Sequence, residues 1–210
     1  MARKVNELRA FDYFPTDQKF ADFVVQNIVK PPTFGYGLMQ PNVLDAGAGD
    51  GVWGNALRTK YSKGSIYLEG NDIRDLPKPE SYDGWFPNHD YLGEDYEFYL
   101  SGRFNLVIGN PPYTQPFLNK FIFRGLWHLK HSGQLIYVLP ADYLHSQSRL
   151  LEIWAATPLK EIWYSSARPS FTADGKTGKK DEYCIYVWQK GWQGDPTIHW
   201  FNYKTGFMFP

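Results

Sequence analysis

The run PNVLDAGAGDGVWGNAL, followed shortly by SIYLEGNDI, constrains the fold more than any other part of this chain. Val43 and Leu44 start a short apolar strand, glycines at 47, 49 and 51 allow tight turning, and the residues after them have helical spacing. A second apolar strand then exits at Asp72. Strand, glycine turn, helix and strand make a βαβ unit, which needs a parallel sheet covered on both faces. The alternation continues downstream. FNLVIG is a strand stopped by Asn-Pro-Pro, and Phe117, Leu118, Phe121, Ile122, Leu126 and Leu129 describe a helix ending at Gly133. QLIYVLP is another strand, residues 147–156 a helix, residues 159–165 and 182–189 strands, and TIHWFNY a last apolar run. Upstream, Thr16 is the expected cap of a helix from Asp17 that carries Phe20, Phe23, Val24 and Ile28 and stops at Pro31-Pro32. Residues 74–102 read mostly as loop, with a candidate short strand near residues 89–92. The whole pattern predicts a doubly wound α/β sheet.

With 210 residues, 43% hydrophobic and 18% aromatic, the chain has material for one packed core, so residues 1–210 are expected to form a single domain. Twenty-two basic residues balance 22 acidic ones, so any nucleic-acid contact must come from a local patch. Cys184, the one cysteine, cannot form an internal disulfide and reads as a small buried hydrophobe, which suits a reducing compartment. No apolar run nears the roughly 18 residues of a membrane span, and the polar start ARKVNELR lacks a secretory signature. A cytoplasmic protein without membrane attachment is expected. His128 and His131 lack the cysteine or acid that would complete a zinc set, so no metal is expected.

Two segments carry chemistry. Gly47, Gly49 and Gly51 sit between a strand and a helix N-terminus, where a ligand can approach the main chain. Gly49, Gly51 and Gly54 also match the dinucleotide spacing, but the strand ends in Asp45 and the glycines flank Asp50, and two carboxylates suit an amine better than a diphosphate. Asp72, at the end of the second strand, is placed to hold two ribose hydroxyls, with Ile73 to pack on an adenine ring and Glu69 as the rival carboxylate. The second segment is Asn110-Pro111-Pro112-Tyr113, at the end of a buried strand. An aryl amine is a poor nucleophile because its lone pair is delocalised, and two acceptors on its N–H bonds expose that pair. The Asn110 side chain and the Pro111 carbonyl supply such acceptors, and Tyr113 offers a stacking face.

Together these motifs make the chain similar to the S-adenosylmethionine-dependent amino-methyltransferases, most of all the N6-adenine DNA methyltransferases, over nearly its whole length. The resemblance implies a Rossmann-like, mostly parallel seven-stranded sheet, the class I methyltransferase architecture, and S-adenosylmethionine as cofactor. FPTD implies that Phe14, Pro15 and Thr16 help hold the methionine end, with Asp45, Ala46, Gly47 and Gly49 lining that part. Asp72 and Ile73 match the ribose and adenine positions, and HDYL places Asp90 near the adenine amino group. NPPY would be the catalytic motif, with Asn110, Pro111 and Pro112 around the target amine, Asn110 also bordering the cofactor, and Tyr113 stacked on an extruded base. Phe171 is a further candidate contact to that base.

No separate target-recognition domain is evident, so short loops or a separate specificity subunit would read the DNA, or specificity is relaxed. Arg168, Lys176, Lys179 and Lys180 form the basic cluster offered for phosphate contacts. RNA or a protein glutamine is an alternative substrate, and a non-catalytic binding subunit is an alternative role.

Overall fold

The computed structural model describes residues 15–30, 40–93, 101–171 and 182–209. Among them one sheet is built from β1 (Asn42–Ala46), β2 (Tyr67–Asn71), β3 (Gly84–Phe86), β4 (Phe104–Gly109), β5 (Leu129–Pro140), β6 (Leu159–Ser165), β7 (Tyr183–Gln189), β8 (Thr197–Asn202) and β9 (Phe207–Phe209). The spatial order is β3-β2-β1-β4-β5-β7-β6-β8-β9. Neighbours from β3 to β5 are parallel, β7 runs antiparallel to β5 and β6, β8 is parallel to β6, and β9 is antiparallel to β8. The expected seven strands are therefore nine, and the sheet is mixed.

Adjacent residues of each central strand enter different cores, as the two-residue period of a strand requires. Val43, Leu106, Ile136, Val138 and Ile185 pack beneath helices α1 (Gln18–Asn27) and α2 (Val52–Lys60), which contribute Phe20, Val24, Trp53 and Leu57. Leu44, Val107, Leu135, Tyr137 and Tyr186 pack on the other face beneath α3 (Phe117–His128), which contributes Leu118, Phe121 and Ile122. Burial on both faces explains why these strands read as nearly continuous apolar runs. Cys184 is fully buried among them, and burial pushes its thiol up to about 12. No described helix is long and apolar enough to cross a membrane.

Several boundaries differ from the sequence reading for local reasons. Asp17, not Thr16, caps α1, its Oδ1 accepting from the amides of Lys19 at 2.8 Å and Phe20 at 3.4 Å. That helix ends at Asn27, where Lys60 Nζ donates to the carbonyls of Val25 and Gln26, which the helix end leaves open, and to that of Val29 beyond it. Residues 89–92 are not a strand; the short strand in that region is β3, whose Trp85 Nε1 donates to Leu76 O. The third helix stops at His128 rather than Gly133 because Leu129 already pairs with Phe104. Residues 147–156 give one α-turn (Gln147–Arg149) that widens into a π-type turn (Leu150–Trp154), with Ala155 N donating to Leu150 O. TIHWFNY forms β8, and β9 follows it as an exposed three-residue edge.

Tyr82 lies against the βαβ unit so closely that a Cβ on Gly54 would fall 2.5 Å from its Cζ, and one on Gly70 would fall 2.7 Å from its Cε1. Gly54→Ala is expected to destabilise the protein by about 1–3 kcal/mol in urea denaturation, as overpacking does. The double variant Gly54→Ala/Tyr82→Leu should cost at least about 1 kcal/mol less than the two single changes added together.

Candidate active site

The strand order reverses between β1 and β4, and there the carboxyl ends of an open parallel sheet leave a crevice. The glycine loop leaving β1 forms one wall. Gly47 and Gly49 have φ of +73° and +57°, a left-handed backbone that favours glycine, and Gly51, at +85°, caps α2. The loop is tied to the end of β2 by three bonds: Gly47 N to Asn71 Oδ1 at 3.3 Å, Ala48 N to Asn71 O at 2.8 Å, and Gly49 N to Asp72 Oδ2 at 2.9 Å.

The segment after β3 forms a second wall. His89 N donates to Asp72 O, Leu92 N donates to Asp90 Oδ1, and Arg124 of α3 donates to the carbonyls of Tyr91 and Gly93. The Tyr91 ring packs on Phe121 with centroids 4.8 Å apart, and its hydroxyl bonds to His128 Nδ1. Burial holds His128 down to about 3, so its imidazole is neutral near pH 7 and serves this scaffold. Among the described residues no group of three His, Cys, Asp or Glu side chains gathers as a metal site.

Thr16, Gly47, Gly49, Asp72, Ile73, Asp90, Asn110 and Pro112 all line this one cleft. They come from five separate segments of the chain. Other expected residues lie elsewhere. Asp45 and Ala46 are completely buried behind the cleft rather than lining it, while Pro15, Pro111 and Tyr113 adjoin its lining residues Thr16, Asn110 and Pro112 in the chain. Phe14, Lys176, Lys179 and Lys180 lie outside the described residues. Phe171 is buried against Tyr183, with ring centroids 4.3 Å apart. Glu69, the rival carboxylate, is buried, paired with Arg103 and not among the cleft lining. Sequence reasoning missed Asn71, Arg74 and Phe121 as cleft residues, and only the strand-end position of Asn71 and Arg74 hinted at them.

The polar groups of the cleft are paired with one another. Asp72 Oδ1 accepts from Arg74 N and Nε, both at 2.9 Å, while Oδ2 accepts from Gly49 N and from Arg74 Nη2 at 3.2 Å. Asn110 Nδ2 donates to Thr16 Oγ1 at 3.3 Å, and Asn110 Oδ1 accepts from the Tyr113 hydroxyl. Among the described lining residues, Asp50, Asp72 and Asp90 set three carboxylates against one arginine, Arg74.

No family model matches the sequence, and no curated protein matches it. Solved structures do share the fold. A Listeria monocytogenes protein provisionally assigned to the class I S-adenosylmethionine-dependent methyltransferases superposes with a TM-score of 0.66 at 13% identity, over 90% of this chain and 66% of its own. The methyltransferase subunit of a type I restriction-modification system from Streptococcus thermophilus gives 0.62 at 17% identity, over 90% and 47%. The M protein of the type I restriction enzyme EcoKI gives 0.60 at 12% identity, over 91% and 48%. The chain thus has the class I methyltransferase fold and spans 47% to 66% of the length of these three structures.

Asp45 supports the glycine loop from below. Tyr82 donates to its Oδ2 at 2.6 Å, and burial, assisted by the Asp72 charge, raises its carboxyl from 3.8 to about 7. A folded value above the unfolded one means that the stability Asp45 contributes is full below about pH 3.8 and is lost as pH rises through 7. Asp45→Asn keeps an acceptor for Tyr82 without this titration. The unfolding free energy of the parent minus that of the variant should fall by up to about 4 kcal/mol across this range, measured by urea denaturation at each pH.

Proposed function

We propose that this chain transfers a methyl group from S-adenosylmethionine to the exocyclic N6 amine of adenine in DNA. The observation that carries the proposal is that Asn110, just after β4, opens on the same cleft as the glycine loop after β1 and the Asp72-Ile73 pair that follows β2. Amine acceptor and cofactor wall thus share one space. The cofactor supplies an electrophilic methyl on a sulfonium, and its two positive centres suit a cleft with three carboxylates. Gly47 and Gly49 present main chain to the methionine part, Asp72 the ribose carboxylate, Ile73 an apolar surface for adenine, and Asp90 an acceptor for the adenine amine. Thr16 positions Asn110 through its side-chain bond.

On the substrate side, Asn110 Oδ1 and the Pro111 carbonyl accept the two amine N–H bonds, which draws the nitrogen lone pair out of conjugation. The Tyr113 hydroxyl occupies that Oδ1 when no amine is present, so the arriving amine takes its place and leaves the Tyr113 ring to stack on the extruded base. No strong base is needed, because the nitrogen becomes acidic as it is alkylated; positioning carries the rate. Restriction-modification methyltransferase subunits among the similar structures favour DNA as the polymer and a separate specificity subunit as partner.

Labelled methyl from S-adenosylmethionine should appear as N6-methyladenine in DNA, and Asn110→Ala should lower kcat by about 10²-fold or more while the cofactor Kd changes less than about threefold. Label in RNA or in glutamine would move the target, and unchanged transfer by Asn110→Ala would remove the proposed site. Arg74→Ala vacates Asp72, so its cofactor Kd should match or improve on the parent's, whereas Asp72→Ala should weaken it about tenfold in calorimetry.

A further inference from the structure

The parallel β4, β5, β6 and β8 end on the same edge of the sheet, where β7 begins. A second cavity of about 560 Å³ opens on that edge, lined by Tyr164, Ser165 and Arg168 at the end of β6, Glu182 before β7, and Trp200 and Lys204 around the end of β8. Its volume falls in the roughly 300–1,000 Å³ range of small-ligand clefts. Trp200 is 47% exposed and stacks on Tyr164 across the parallel strands, with centroids 6.3 Å apart and planes at 26°. Arg168 and Lys204 are exposed, and among the described residues neither has an acidic partner.

Resting on the nucleic-acid reading above, we propose that this notch is a second DNA contact, in which Arg168 and Lys204 take a backbone phosphate and the Trp200 face packs against the adjoining sugar. Charge and shape both favour a nucleic-acid strand. Two cations flank an exposed indole, and among the described lining residues the one acid, Glu182, leaves one net positive charge, which suits a singly charged phosphodiester better than a free dianion. The position also fits. Three strand spacings separate β4 from β6 and four separate it from β8, so at about 4.8 Å each the notch lies roughly 14–19 Å from Asn110 along the sheet edge. That is about four to six steps of duplex DNA at 3.4 Å per step. A strand whose adenine enters the Asn110 cleft and which runs along this edge reaches the notch within that span.

The test is binding of a fluorescent mixed-sequence duplex of roughly 30 bp between about 50 and 200 mM NaCl. The double variant Arg168→Ala/Lys204→Ala should flatten the plot of log affinity against log salt by about 0.9 for each lost phosphate contact, and raise KM for DNA without lowering kcat. Trp200→Ala should weaken binding at an unchanged salt slope. If the parent binds and methylates the duplex but the double variant keeps the parent's slope, the proposal is overturned while the function stands. If the parent neither binds nor methylates DNA, and its label goes to RNA or protein, the substrate reading and the notch fall together. Sedimentation separates the remaining occupant: should Trp200→Ser/Phe209→Ser convert a dimer to a monomer with the DNA slope unchanged, the aromatic face belongs to a second copy of the chain and the proposal is wrong.

Discussion

The hydrogen bond from Tyr82 to the buried carboxyl of Asp45 is the contact on which the cleft depends. It pins one aromatic ring beneath the βαβ unit, and that ring accounts for glycine at 54 and 70, where a Cβ would overlap it, and helps explain Gly51, where a Cβ would lie 3.2 Å from its Cε2. The first acid of the glycine motif thus works from inside the fold. It sets the height of the loop, and the loop's amides then reach Asn71 and Asp72. Removing the ring would leave the buried Asp45 carboxyl with the Gly54 amide but without its hydroxyl donor, a larger loss than that of one exposed hydrogen bond.

A second constraint acts at the strand reversal. A Cβ on Gly109 would lie 2.8 Å from the Ala46 carbonyl, so the last residue of β4 allows a backbone approach that a side chain would prevent. That approach brings Asn110 beside the glycine loop. Helix α3 completes the arrangement, since Arg124 holds the turn after β3 by two main-chain carbonyls while Phe121 from the same helix lines the cleft. The cleft therefore rests on both cores, one on each face of the sheet.

Much of this was legible in the sequence where one residue type has one physical use. The glycines at 47 and 49, the acid ending β2 and the Asn-Pro-Pro stop each marked a strand end, and the fold brings Gly47, Gly49, Asp72 and Asn110 together. The burial of Asp45 was not legible, because a carboxylate beside a glycine loop looks the same in sequence whether it faces a ligand or a buried tyrosine 37 residues away. Thr16 and Asp17 are both helix-capping types, and only the three-dimensional position of Asn110 shows why Thr16 is left for the cleft. Strands β3 and β9, three residues each and only partly buried or exposed, carry too little periodicity to be read. Arg74 was missed because its partner is two residues away and the pairing follows from a turn rather than a pattern.

Arg74 bonds Asp72 and Tyr113 bonds Asn110, so on the proposed reading the cleft carries an internal set of stand-ins for its ligands. An incoming molecule exchanges bonds here rather than filling unmet ones, so its affinity measures the difference between two satisfied states. Ligands are ranked by what they displace as much as by what they touch. A molecule that offers only half of a displaced bond set leaves a charged carboxylate or an amide oxygen stranded, and it is rejected more sharply than its missing contacts alone would suggest.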